Sequence, residues 1–163
     1  MVTRNQAARR NARRCGGIAG TPPISVYTFS PGITLGGLDG KTYNLDAFRG
    51  KVVLLNFWAT WCPPCRREMP DMEKLYQRLS QKGLVVLAVS DEKRETVEDF
   101  LKKQNYTFPV LLDPDRKVNS AFGIEGIPNS FLFDRQGKLL QVRPRGATAR
   151  SSSFGVGRVP HAP

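Results

Sequence analysis

Histidine is almost missing from this chain, with one residue in 163, and cysteine is scarce, with three. A structural zinc site normally takes four ligands, often two cysteine pairs or one pair with histidines. Outside the pair Cys62 and Cys65, only Cys15 and His161 remain, both near the ends, so no metal is expected. Three cysteines are also too few to staple a small disulfide scaffold. No apolar window of about 18 residues occurs, which excludes a membrane-spanning helix. Acidic residues are absent from both ends: residues 1–20 hold five arginines and residues 144–163 hold three, with no acid in either stretch. All fourteen acids therefore lie in 21–143, opposite seventeen bases. The net charge of +11 belongs mostly to the ends, where charge runs are solvated. With no recognition motif beside the arginines, no specific nucleic-acid partner is expected.

The first twenty residues, MVTRNQAARRNARRCGGIAG, have a positive start but lack the apolar stretch of a secretory signal or a twin-arginine signal. Cys15 follows Arg14 rather than an apolar run, unlike a lipidated cysteine, and receives no role. The expected organisation is a basic disordered tail at 1–20, one domain at 21–143, and a disordered Gly/Ser/Arg-rich tail at 144–163.

Within the domain, GLDGKTYNL places an Asp-Gly turn between two short extended runs, a hairpin signal. Asp46 is the expected cap of a single helical turn closed by Gly50. KVVLLNFWA is a continuous apolar run of the kind buried on both faces, and it is the predicted central strand. From Pro63 to Lys82, Met69, Met72, Leu75, Tyr76 and Leu79 recur at helical spacing, with Pro70 as a potential kink and Gly83 as the stop. LVVLAVS predicts a second buried strand. Asp91 then opens a charged helix with Val97, Phe100 and Leu101 on its apolar face. FPVLLDP, a short helix ending at Gly123, IPNSFLFD and KLLQVR complete the pattern. Helices between the long strands predict an α/β domain with a parallel sheet, extended by a final antiparallel hairpin.

Two of the three cysteines stand in NFWATWCPPC, directly after the predicted strand and at the start of the predicted helix. Unpaired N–H groups and the positive end of the helix dipole favour a thiolate at Cys62. Cys65, almost one turn further on, is spaced to resolve a mixed disulfide formed by Cys62. Pro63 and Pro64 occupy the first turn, where a missing N–H costs little and a fixed φ stiffens the loop. Haem attachment requires His after the second cysteine, where this chain has Arg66. Two inert core thiols remain the bland alternative. Strand alternation sends Phe57 to the opposite face from its neighbours and assigns it to the core, with Trp58 also a core residue and Trp61 shaping access to the sulfur.

The stretch LLNFWATWCPPCRREMP, with GKVV before it and GIPNSFLFDRQGKLL after it, resembles the TlpA/ResA-like thiol-disulfide oxidoreductases of the thioredoxin superfamily over about residues 30–143. The resemblance implies a thioredoxin-like three-layer α/β/α fold with a mixed central sheet, an N-terminal β-hairpin and an inserted strand-helix unit between Leu84 and Pro109. It implies a cis peptide at Pro128, opposite the cysteines, with Ile127 offering backbone hydrogen bonds to an extended substrate. It also implies a role for Glu68 in tuning the cysteines and moving protons; the bland reading is a first-turn acid favoured by the helix dipole. Asn56 stands where plain thioredoxins bury an aspartate, leaving Glu68 as the base candidate.

By that resemblance the protein exchanges a Cys62–Cys65 dithiol/disulfide with cysteine pairs of other proteins as a reductant, for example of apocytochromes. It would act as a monomer without a further cofactor, with a disulfide-containing protein substrate and an upstream thiol/disulfide donor. Family members commonly work in the periplasm or cell envelope. They also end in a helix, for which this chain has Gly-Ser-Arg-rich sequence instead. Two alternatives stay open: a thiol peroxidase of the same superfamily, and a redox-inactive interaction protein with basic tails.

Overall fold

The computed structural model describes residues 32–144, so the tails expected at 1–20 and 144–163, the helix expected to be missing after the last strand, and Cys15 and His161 lie outside the described residues, Pro144 apart. Seven strands form one sheet: β1 (Thr34–Gly37), β2 (Thr42–Asn44), β3 (Val52–Phe57), β4 (Leu84–Ser90), β5 (Val110–Leu112), β6 (Asn129–Phe133) and β7 (Leu139–Arg143). Their order is β2-β1-β5-β4-β3-β6-β7. β3, β4 and β5 are parallel, while the pairs β1–β2, β1–β5, β3–β6 and β6–β7 are antiparallel. This is the mixed sheet of a thioredoxin-like fold, with the Asp39–Gly40 hairpin at one edge and the β6–β7 hairpin at the other.

The middle strand is β4, not β3 as the sequence suggested. Every residue of β4 is buried, whereas β3 begins with a half-buried Val52. The two apolar runs look alike in sequence, and their rank is decided by β5 and the hairpin extending the sheet beyond β4. The strand-helix unit expected over 84–109 consists of β4 and the helix α2 (Arg94–Leu101).

Three helices complete the layers: α1 (Pro63–Leu79), α2, and α3 (Lys117–Ala121). The crossovers β3-α1-β4 and β4-α2-β5 step in the same direction along the sheet, so right-handed connections put both helices on one face. α3 runs back toward β6 and packs Val118 and the following Phe122 on the other face. α1 continues through Pro70, which is exposed, so the amide missing there opens no gap in the core. It ends at Leu79 rather than Lys82, and the last residues tighten into a 3-10 turn before Gly83 at φ +92°.

Two expected caps are corrected. The turn at Leu45–Phe48 is capped by Asn44, whose side chain accepts the Asp46 N–H at 2.8 Å. Asp46 instead accepts from Gly32 N–H and pairs with Arg49. Asp91 does not open α2, which starts three residues later with Lys93 at its cap position. Its carboxylate pairs with Arg116 Nε at 3.3 Å, which leaves residues 91–93 as a loop at the end of β4. Arg94 ties this region to the N-terminal hairpin by donating to the carbonyls of Gly37 and Leu38, each at 3.1 Å.

Candidate active site

β3 reaches the site carrying two patterns at once. Val53, Leu55 and Phe57 enter one apolar cluster, and Leu54 and Trp58 enter the other, as period-two alternation requires. Trp58 N–H donates to Val89 O, the last rung between β3 and β4. The chain then turns, with Cys62 N–H bonded to Ala59 O at 3.2 Å, and α1 begins. Thr60 and Trp61 are the central residues of that turn. Trp61 is 69% exposed, whereas Trp58 is fully buried beside Phe100.

Cys62 is the N-cap of α1, in extended conformation, and its Sγ accepts the Cys65 N–H at 3.3 Å. Pro63 and Pro64 fill the first two helical positions, where a chain that lacks N–H donors loses no helical bond. Cys62 and Cys65 are joined in a disulfide with 5.3 Å between their Cα atoms. Both are buried in the cluster under α1 with Met69 and Met72. With Cys62 at 2% exposure and Cys65 at 0%, the apolar cluster packs against both ends of the bond.

Beneath the first turn lies a polar group set into that apolar layer. Asn56, fully buried on β3, donates from Nδ2 to Glu68 Oε1 at 2.8 Å and to Ser130 Oγ at 2.9 Å. Ser130 is the register partner of Asn56 on β6 and of Arg143 on β7. Burial raises the Glu68 carboxyl above its ordinary 4.5, opposed by the Asn56 hydrogen bond and the charge of Arg143. A carboxyl held in this way sits closer to neutral pH than a surface glutamate and is suited to accept and return a proton.

Ile127–Pro128 is a cis peptide. Asn129, the next residue, opposes Phe57 in the sheet, which brings the cis bond to the end of β3 from which the cysteine turn departs. Ile127 packs against the cluster containing both cysteines. The structure therefore gathers Trp61, Cys62, Pro63, Pro64, Cys65, Ile127 and Pro128 at one end of the sheet, with Glu68 below.

Two residues at this site escaped the sequence reading. Ser130 is recoverable from strand alternation once β6 is set against β3. Glu92 reads as part of a charged helix, yet it turns back from the β4 end. Its Oε2 accepts Thr60 N–H and its Oε1 accepts Thr60 Oγ1, both at 2.7 Å. The signal that points to it is its position just past the carboxyl end of a parallel strand, where sites of α/β sheets gather. Among the described residues no cluster of His, Cys, Asp or Glu is arranged to hold a metal ion, and no helix is long and apolar enough to cross a membrane.

Residues 28–142 match the AhpC/TSA family. The thiol-disulfide oxidoreductase ResA of Geobacillus thermodenitrificans is 39% identical over 120 residues, covering 73% of this chain and 69% of that protein. The ResA of Bacillus subtilis is 38% identical over 125 residues, covering 76% and 70%. Among solved structures, a thiol:disulfide interchange protein of the thioredoxin family from Chlorobium tepidum superposes with a TM-score of 0.60 at 36% identity, covering 73% of this chain and 88% of that one.

Proposed function

The chain belongs to the ResA-like thiol-disulfide oxidoreductases of the thioredoxin superfamily, and on that premise we propose that Cys62 and Cys65 act as a reductant of cysteine pairs in other proteins. The observation that carries this reading is the placement of Cys62 as the cap of α1, bonded to Cys65 within the same turn. In the dithiol form, the helix start favours an anionic Cys62 sulfur. That thiolate attacks a substrate disulfide, forming a Cys62–substrate bond and releasing one substrate sulfur, which takes up a proton. Cys65 then attacks Cys62, closing the intramolecular disulfide and releasing the second substrate thiol. Two electrons and two protons pass to the substrate, and an upstream thiol donor restores the dithiol.

Glu68 is the proposed acceptor of the Cys65 proton, held by Asn56 within the apolar layer. Pro128 and the Ile127 backbone would receive an extended substrate segment, with Trp61, Pro63 and Pro64 lining the approach. The two sulfurs are themselves the electron carrier, so no further cofactor enters the cycle. The substrate class is a protein disulfide, apocytochromes among them. The test is equilibration in graded thiol/disulfide buffers, counting alkylated cysteines by mass. A cooperative two-electron transition near about −270 mV fits a reductant, whereas about −120 to −180 mV would overturn that direction in favour of an oxidant or isomerase. Peroxide consumption that survives Cys65→Ser would instead favour a thiol peroxidase.

A further inference from the structure

We propose that Glu92 is a positioning residue for disulfide exchange, holding through Thr60 the turn that carries Trp61 and Cys62. The proposal rests on the oxidoreductase reading but not on any role for Glu68. β3 and β4 run in parallel register as far as Phe57 and Val89, and one further rung joins Trp58 N–H to Val89 O at 3.0 Å. Beyond it the strands part, β3 into the Ala59–Cys62 turn and β4 into the 91–93 loop. Among the described residues no backbone hydrogen bond joins the two segments past that point. The Glu92 carboxylate spans the gap. Its two oxygens take both the N–H and the hydroxyl of Thr60, so the turn is held at two points rather than one. A single bond would leave Thr60 free to rotate about it, and the second fixes that rotation.

The carboxylate is itself anchored to the sheet. Ser90, the fully buried last residue of β4, donates from Oγ to Glu92 Oε2 at 3.2 Å and accepts the Glu92 N–H at 3.3 Å. A continuous chain of contacts thus runs from the centre of the sheet through Ser90, Glu92 and Thr60 to the residue two before Cys62. Glu92 touches neither sulfur in this chain of contacts; it acts by fixing the backbone from which the Cys62 sulfur and the Trp61 ring project. Exchange requires three sulfurs nearly in line, and small misplacement of a reacting group is expensive in rate.

The experiment compares wild type, Glu92→Gln, Thr60→Val and Thr60→Ser in the reduced form, reading single-turnover reduction of insulin disulfides beside the urea midpoint. Glu92→Gln keeps the size of the side chain but turns one acceptor into a donor facing Thr60. The expected result is a rate lower by about tenfold in Glu92→Gln, an intermediate loss in Thr60→Val, and recovery in Thr60→Ser, with urea midpoints close to wild type. The proposal is overturned if Glu92→Gln and Thr60→Val both reduce insulin at the wild-type rate, or if Thr60→Ser is as slow as Thr60→Val. Should Glu92→Gln fold poorly, the two Thr60 variants decide alone. A wild-type protein that does not reduce insulin at all would count against the oxidoreductase reading itself, a result distinct from equal rates across the series.

Discussion

The two faces of β3 are built for different tasks, though their residues alternate along one six-residue strand. Phe57 looks onto a cluster of aromatic rings, with Phe122 at 5.5 Å and Phe131 at 5.8 Å between centroids, among aliphatic side chains such as Val53 and Leu55. Asn56, one residue earlier, looks the other way into a layer holding Met69, Met72 and both cysteines, where it is hydrogen-bonded to Glu68 and Ser130. The first face gains its stability from apolar area removed from water, on the order of 1.5–3 kcal/mol for each large side chain. The second gives up part of that gain to keep an ionisable group near the sulfurs. Stability and reactivity are thus separated by the thickness of a single strand, and substitutions on either side of it are expected to fail differently.

The largest contrast is expected from the cysteines. Cys62→Ser abolishes turnover, while its urea midpoint in the reduced state stays near that of the reduced wild type, because Ser is close in size and remains able to cap α1. A variant that retained turnover would sink the assignment of Cys62 as nucleophile. Phe57→Ala gives the opposite signature: a loss of about 3–5 kcal/mol by urea denaturation, from removal of a fully buried ring, with the thiol/disulfide equilibrium of the folded fraction unchanged. If that equilibrium moved with stability, the two faces would not be separable.

The smallest effect concerns pH. Burial raises the Glu68 carboxyl, so the folded chain holds this proton more tightly than the unfolded chain does. Its contribution is fully present below the ordinary value of 4.5 and is lost as pH rises through the raised folded value. Glu68→Gln removes that loss and still offers Asn56 an acceptor. The melting temperature of the variant relative to wild type is therefore expected to rise between about pH 4 and about pH 8, by scanning calorimetry of the oxidised proteins. A difference that stays flat across this range would show that burial does not govern the carboxyl.

What was legible in the sequence follows the range of the interactions. β3 and β4 announced themselves because strands buried on both faces must be apolar at every position, and α1 did so because Met69, Met72 and Leu75 repeat at the helical period. The cysteine pair was legible for the same reason: its partners are three residues apart. The caps at Asp46 and Asp91 were misplaced because neighbouring polar residues compete for the same role, and partners farther away in the chain draw the two carboxylates off, Gly32 for one and Arg116 for the other. Glu92 and Ser130 become legible only once the strands are set side by side. Their partners lie 32 and 74 residues away in the chain, and only the assembled sheet brings Thr60 and Asn56 to them.

The closeness of the two cysteines has a thermodynamic side. A ring closed over a separation of three residues removes little freedom from an unfolded chain, about 2 kcal/mol against about 4.7 for a loop of a hundred residues. Any larger difference in stability between the oxidised and reduced proteins must therefore originate in the folded state. Folding and oxidation form one closed cycle, so the fold favours or opposes the bond by the same free energy with which the bond favours or opposes the fold. Each 1.4 kcal/mol of that difference displaces the reduction potential by about 30 mV from that of an unstructured chain with the same spacing. Two urea titrations, one with the bond closed and one with it open, thus weigh the protein's grip on its own electrons without a redox buffer.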